Sequence, residues 1–349
     1  MTPHYTNIHN RFKINGFHLD RDSLFQLAYS LIKEGEDFEK EVGMFLLDWF
    51  DAKDYVEAQT SGTTGEPKIV RIDKQAMVNS ALATGDFFEL EPGNTALNCL
   101  PARFIAGKLM LVRSIILGLE MDMVSPKGNP LAHTYKNYDF AAMVPLQVEH
   151  ALENIEQIDK LIIGGAKVSQ DLIESLKGKK TKSYETYGMT ETITHIAAKP
   201  IGEEVFTVLP GIKVAKDIEG CLVIEAPRVS DEKIFTHDLV EITGKNTFKW
   251  IGRKDNIINS GGIKIIPELV EKKLDGKLKS RYFITSKPDK HLGQKVVLAI
   301  EGKDNIDTKI FEVLDTYEKP KEVVYISRFS ETENGKINRK ETLEKNGLV

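Results

Sequence analysis

An α/β fold in two parts is predicted by three features of the sequence. Between Thr95 and Glu185, short apolar runs alternate with segments of helical period, the pattern of a largely parallel sheet covered by helices. After Ile193 the apolar runs become closely spaced, as in antiparallel strands. At Gly252-Arg253-Lys254-Asp255 a polar break ends that series, and a shorter mixture of strands and helices follows. The resulting fold class is a large N-terminal domain, residues 1–252, with a mostly parallel sheet plus an antiparallel β subdomain, followed by a small α+β C-terminal domain, residues 253–349.

The elements follow in order. Asp22-Ser23 ahead of Leu24, Leu27, Leu31 and Ile32 reads as a capped amphipathic helix, and a second apolar stretch runs over 44–50. Residues 55–58 read as a strand, 69–72 as another and 75–88 as a helix. Strands at 95–100, 140–144, 161–163 and 183–185 then alternate with helices at 107–117, 146–155 and 170–176. The antiparallel strands fall at 205–209, 213–214, 221–224, 239–242 and 248–250. The last part holds helices at 267–274 and 308–314, with strands at 282–285, 296–300 and 322–326.

Bulk properties narrow the class of function. Hydrophobic residues make up 41% and charged residues 28%, an ordinary globular balance, and the net charge of -5 argues against a general nucleic-acid binder. Cys99 and Cys221 stand far apart, so neither a disulfide framework nor a cysteine zinc site is expected. The apolar run over 109–123 contains Arg113, Glu120 and Asp122 and is too short and too charged to span a bilayer. The first 20 residues lack an apolar core behind basic residues, so a cytoplasmic location without stable membrane insertion is expected. Oligomeric state stays open, a homodimer among the options.

Five stretches carry candidate chemistry. Thr60-Ser61-Gly62-Thr63-Thr64-Gly65-Glu66-Pro67-Lys68 places two glycines, four hydroxyls and a lysine in nine residues. Glycines that accept positive φ let a tight loop turn its N–H groups inward as an anion nest, and Lys68 adds a mobile cation. The same composition also suits a polar surface turn, and the spacing is not that of the G-x-x-x-x-G-K-[ST] loop. In Tyr184-Glu185-Thr186-Tyr187-Gly188-Met189-Thr190-Glu191-Thr192, an aromatic face suits a purine and Glu191 offers a hard oxygen to Mg²⁺; a capped turn is the plainer alternative. Asp238 precedes an apolar strand, either as a turn residue or as an acceptor for ribose hydroxyls. Around Arg253 and Asp255 lies the charged break, and Lys336 sits in a basic segment near the C-terminus.

In this order the five stretches resemble the adenylate-forming enzymes: acyl-CoA synthetases, amino-acid adenylation domains and luciferases. The resemblance runs from Ala58 to the C-terminus and implies a mobile C-terminal domain with ATP and CoA as substrates and Mg²⁺ as cofactor. It further implies that Thr60, Ser61, Gly62, Thr63, Thr64, Gly65 and Lys68 hold ATP phosphates. Gly164, Gly165 and Ala166 match the stretch lining the adenine and acyl pockets. Tyr187 with Gly188 matches the adenine-stacking position, Thr190 a phosphate contact and Glu191 the Mg²⁺ ligand. Asp238 and Arg253 match the ribose and phosphate contacts, Asp255 the hinge and Lys336 the lysine that completes the adenylation site.

The acid is read from the stretch Leu100-Pro101-Ala102-Arg103-Phe104-Ile105-Ala106-Gly107 and the helix after it. It lacks the aspartate by which amino-acid-activating relatives hold an α-amine. Arg113 interrupts an otherwise apolar helix and needs a partner. It either reaches solvent, joins an internal ion pair, or, with Lys108, holds a second carboxylate on the substrate. With Tyr-Gly-Met-Thr-Glu-Thr, this stretch looks most like the members that activate an aromatic dicarboxylic acid. Phe104 stands where many of those members have histidine, and Ile263 where an acidic residue is more common. A ligase for another acid, a loader of carrier proteins and a non-catalytic nucleotide binder are the alternatives; retention of Glu191 and Lys336 argues against the last.

Overall fold

The structure is a computed structural model that describes residues 2–59, 69–303, 306–331 and 337–348. The candidate phosphate loop, 60–68, and Lys336 therefore lie outside the described residues. The chain divides into two compact units, Met1–Lys213 with Ile224–Ile234, and Val214–Val223 with Phe235–Val349.

The first unit is built on strands β1 (Lys13–Ile14), β2 (Phe17–His18), β3 (Tyr55–Gln59), β4 (Ile69–Asp73), β5 (Thr95–Asn98), β6 (Glu120–Met123), β7 (Tyr138–Met143), β8 (Ile158–Ile163), β9 (Lys182–Gly188), β10 (His195–Pro200) and β11 (Val205–Val208). Its helices are α1 (Arg21–Glu34), α2 (Asp37–Phe50), α3 (Lys74–Phe88), α4 (Ile105–Leu117), α5 (Pro145–Ala151) and α6 (Gln170–Leu176). Nine strands form a sheet in the order β11-β10-β9-β8-β7-β5-β6-β1-β2. From β9 to β1 every neighbour is parallel, and β10, β11 and β2 run antiparallel. β3 and β4 pair separately as an antiparallel hairpin, with Gln59 opposite Ile69.

The two-residue period of the strands sorts side chains onto two cores. Ala96, Phe140, Ala142 and Ile162 join the helices α1 to α4, whereas Leu97, Ala141, Met143, Leu161 and Ile163 face α5 and α6. Both faces are covered, which explains why the parallel strands read as continuous apolar runs. α4 is buried on all sides: every residue from Gly107 to Ile116 is buried, Lys108, Arg113 and Ser114 included. α3 starts on Asp73, whose side chain accepts from the Ala76 N–H at 2.6 Å, and the buried Lys74 ammonium pairs with Asp51 at 2.7 Å.

The second unit holds β12 (Lys213–Lys216), β13 (Cys221–Glu225), β14 (Ile234–Gly244) and β15 (Thr247–Arg253), side by side in that order. They are followed by β16 (Ile258–Ser260), β17 (Ile263–Ile265), α7 (Pro267–Leu274), β18 (Tyr282–Asp289), β19 (Gly293–Glu301), β20 (Glu322–Ile326) and α8 (Arg339–Lys345). β18 and β19 pair antiparallel over eight residues and β20 joins β19 in parallel. Val270 and Leu274 of α7 pack with Ile284, Leu298 and Ile300; on the other face Leu343 of α8 packs with Phe283, Ala299 and Phe329. The helix expected over 308–314 is a 3₁₀ segment, Thr308–Val313.

Candidate active site

Parallel strands of an α/β sheet present their carboxyl ends to one edge, where ligands bind. In the first unit that edge collects the loops after β5, β7, β8 and β9, and three of the predicted stretches fall on them. The loop after β5 carries Phe104, half-buried as the cap of α4, with Arg103 stacked over its ring at 4.8 Å and paired with Glu41 at 2.7 Å. Gly164-Gly165-Ala166 follows β8. The Gly164 N–H donates to the Met143 carbonyl at 3.2 Å, and the Thr186 hydroxyl of β9 donates to the Ile163 carbonyl at 3.2 Å, so these ends are tied together.

β9 ends in the Tyr187–Glu191 stretch. Tyr187 is half-buried, with its ring 5.9 Å from Phe206. Thr190 and Glu191 lie in a 3₁₀ turn, Thr190–Thr192, closed by the Thr192 hydroxyl donating to the Thr194 carbonyl at 2.7 Å. Ile193 then takes φ +66°, rare for a β-branched residue, and the chain returns as β10. The return passes so close to Gly188 that a Cβ there would sit 2.2 Å from the Thr194 carbonyl oxygen. The exposed Glu191 carboxylate makes no hydrogen bond or ion pair with any described residue.

The same return places His195, which the sequence reading did not single out, beside Arg113. Arg113 is 2% exposed, yet among the described residues no carboxylate pairs with it. Its Nη2 lies 3.4 Å from His195 Nδ1, its Nη1 lies 3.7 Å from Met110 Sδ, and Nε has no hydrogen-bond partner among the described residues. Burial pulls its pKa down to about 9, so it stays cationic at neutral pH. Burial, reinforced by the Arg113 charge, holds His195 well below the ordinary histidine value, and the ring is neutral. Among the described residues, Arg113 therefore follows neither structural alternative set out from the sequence, reaching neither solvent nor an internal ion pair. Lys108 does not meet it. Lys108 faces α2, 5.0 Å from the Phe45 ring, and its pKa is lowered by burial against the opposing pull of Asp48 and Glu41. A groove lined mostly by apolar groups, among them Ala83, Ile196, Leu209 and Val229, has His195, Thr192, Asp86 and Arg228 in its wall; Arg113 is not part of that wall.

In the second unit the register of β14 and β15 sets Asp238 opposite Arg253. Asp238 is buried; it accepts from the Trp250 indole N–H at 3.0 Å, and an Arg253 nitrogen lies 3.6 Å away. Asp255, in the 3₁₀ turn Lys254–Asn256, accepts from Arg253 at 2.9 Å and lies 2.6 Å from His237 Nδ1. Partial burial raises the Asp255 pKa, but the bonds from His237 and Arg253 outweigh it and hold the carboxyl below its ordinary value.

A family profile described as AMP-binding enzyme matches residues 56–221. A solved acyl-CoA synthetase (AMP-forming)/AMP-acid ligase II-like protein from Dyadobacter fermentans is 34% identical, covers 92% of this chain and 97% of its own, and superposes with a TM-score of 0.63. The chain belongs to the AMP-binding enzyme family. It is an acid–thiol ligase of the adenylate-forming superfamily. The 2-succinylbenzoate–CoA ligase of Salmonella typhimurium is 26% identical, over 90% of this enzyme and 76% of that one. O-succinylbenzoate coenzyme A synthetase from Bacillus subtilis, solved with ATP and magnesium ion, shares the fold at 20% identity, covering 82% and 69% of the two chains with a TM-score of 0.72. No helix among the described residues is long and apolar enough to cross a membrane.

Proposed function

We propose that this enzyme is an ATP-dependent acid–CoA ligase that works through an acyl-adenylate, with o-succinylbenzoate of menaquinone biosynthesis as the acid and the cytoplasm as its location. The observation that carries the choice of acid is Arg113. A buried cation left without an anion costs several kcal/mol, so its persistence beside an apolar groove is explained by an anion that arrives with the substrate. An aromatic diacid supplies both parts, a ring for the groove and a second carboxylate for the guanidinium.

A carboxylate is a poor electrophile, and transfer of AMP from ATP turns it into a mixed anhydride with a good leaving group. In the first step a substrate carboxylate oxygen attacks the α-phosphorus and pyrophosphate leaves. In the second the CoA thiol displaces AMP, giving the thioester. Neither step needs a protein nucleophile, so the protein contributes position and charge. In this reading Thr60, Ser61, Gly62, Thr63, Thr64, Gly65 and Lys68 hold the phosphates, and Gly164, Gly165, Ala166, Tyr187 and Gly188 hold adenine. Thr190 contacts phosphate, Asp238 and Arg253 contact the ribose side, and Lys336 completes the adenylation site. Phe104 borders the acid, and residues 253–349 move about Asp255. Glu191 fits a Mg²⁺ ligand because its oxygens are uncommitted among the described residues, and Mg²⁺ takes few protein ligands when nucleotide oxygens and water supply the rest. The bound ion would supply positive charge to the phosphates.

Pyrophosphate release with ATP, Mg²⁺ and a panel of acids, with and without CoA, tests this reading. Selective turnover of o-succinylbenzoate to its CoA thioester is expected. Equal use of monoacids would overturn the choice of acid, and pyrophosphate release with no thioester would move the enzyme to carrier-protein loading.

A further inference from the structure

The proposed acid anchor poses a problem of its own. A guanidinium that waits for a substrate must be kept in position while the site is empty, yet any carboxylate built in to hold it would also neutralise it. Arg113 is held instead by an imidazole. Resting on the reading of Arg113 as the anchor of the acid's second carboxylate, we propose that His195 is a positioning and specificity-determining residue, a neutral acceptor that orients Arg113 without cancelling its charge.

The direction of the hydrogen bonds follows from their chemistry. Guanidinium nitrogens only donate, so the His195 Nδ1, which faces Arg113 Nη2 at 3.4 Å with the Thr194 hydroxyl also 3.4 Å away, presents its lone pair to the guanidinium. The neutral ring then carries its hydrogen on Nε2, which lies 3.4 Å from the Thr84 hydroxyl oxygen. Thr84 already donates that hydroxyl hydrogen to the Ser80 carbonyl at 2.9 Å, which leaves its oxygen free to accept. The chain therefore runs one way, Arg113 to His195 to Thr84 to the backbone of α3. A protonated ring would place an N–H against the guanidinium, donor against donor and cation beside cation.

The contacts at 3.4 Å are long, orienting rather than strong. A carboxylate making charge-assisted bonds at about 2.8 Å would displace such an acceptor readily. His195 also stands in the wall of the groove, whereas Arg113, 3.4 Å from its Nδ1, does not line it, so on this reading the acid reaches the guanidinium past His195. Its location is fixed by backbone: His195 pairs with Gly188 in the β9–β10 register, and the missing Cβ at Gly188 allows that approach.

The test compares substitutions matched in shape and different in charge. His195→Asp supplies an internal carboxylate, whereas His195→Asn supplies a neutral acceptor of the same size. His195→Asp is expected to raise KM for the diacid about a hundredfold over His195→Asn, with KM for ATP the same in both. Equal diacid KM values in the two would overturn the proposal. His195→Gln and His195→Leu give a second comparison should the aspartate variant fail to fold. The acceptor-bearing variant is expected to keep the lower diacid KM by about tenfold, and equality there would likewise overturn it. Arg113→Leu separates this proposal from the reading beneath it. An unchanged diacid KM in Arg113→Leu removes the anchor and His195's role with it. A raised one, with His195→Asp equal to His195→Asn, leaves the anchor standing and overturns the role of His195 alone.

Discussion

A buried guanidinium with no carboxylate beside it among the described residues is a stability cost that function must justify, and Arg113 allows the two to be measured apart. Arg113→Met keeps the length and apolar packing of the side chain and removes the charge. The substrate-free enzyme is expected to gain about 1–4 kcal/mol against urea, while the diacid loses its anchor. A loss of stability would mean that the arginine is a structural group. His195 gives a pH signature at the same scale. Its folded pKa lies well below 6.5, so below that pH the unfolded chain binds a proton that the folded chain does not. Stability should then fall with acid, by about 1.4 kcal/mol per pH unit at the limiting slope, starting near pH 6.5 and ending at the folded pKa. His195→Gln should remove that component between pH 7 and 5, measured as the difference in urea midpoints; an unchanged profile would mean the ring is protonated in the fold. The anomaly at Arg113 was legible in the sequence, because a charge in an apolar helical run stands out. His195 was not, since one histidine in Ile-Thr-His-Ile-Ala-Ala says nothing until β10 folds back against α4.

At the scale of elements the parallel half was the most legible. β5, β7 and β8 are buried on both faces, and continuous apolar runs follow from that. The two-residue strands β1 and β2 exist only through their pairing, and no local propensity announces them. The first helix is capped two residues earlier than its sequence suggested, because Asp20, not Asp22, is the residue whose side chain accepts from the Ser23 N–H. α8 was missed, being seven residues long and packed mainly through Leu343. The turn between β9 and β10 carries a prediction of its own. Its geometry depends on Gly188, where an added Cβ would collide with backbone, the Thr194 carbonyl at 2.2 Å, and not with a side chain free to rotate. Gly188→Ala should therefore push β10 outward, costing about 1–3 kcal/mol of stability. It should also lower activity with every acid, since Thr190 and Glu191 move with the turn, and most with the diacid, since His195 moves with β10. A variant that lost only diacid turnover would show that the turn serves the acid and not ATP.

For the whole molecule, the parallel strands of the first unit end on one edge, and Phe104, Gly164, Gly165, Ala166, Gly188, Thr190 and Glu191 lie there because the loops do. The second unit carries its own polar pair, Asp238 with Arg253, and its own pinned carboxylate at Asp255. The proposed reading assigns both units to one nucleotide and gives Lys336 the task of completing the adenylation site, with the C-terminal part repositioned for the thiol step. Those two steps can be uncoupled by experiment. Lys336→Ala should slow adenylation by the equivalent of about 3–4 kcal/mol, the usual worth of one preorganised donor at a developing charge. Supplied with preformed acyl-adenylate and CoA, the same variant should make thioester at close to the unsubstituted rate, because that step needs no lysine at the α-phosphorus. Single-turnover rates of each half-reaction decide the matter. Equal losses in both would mean that Lys336 serves a single fixed arrangement, and the repositioning of residues 253–349 about Asp255 would have to be abandoned.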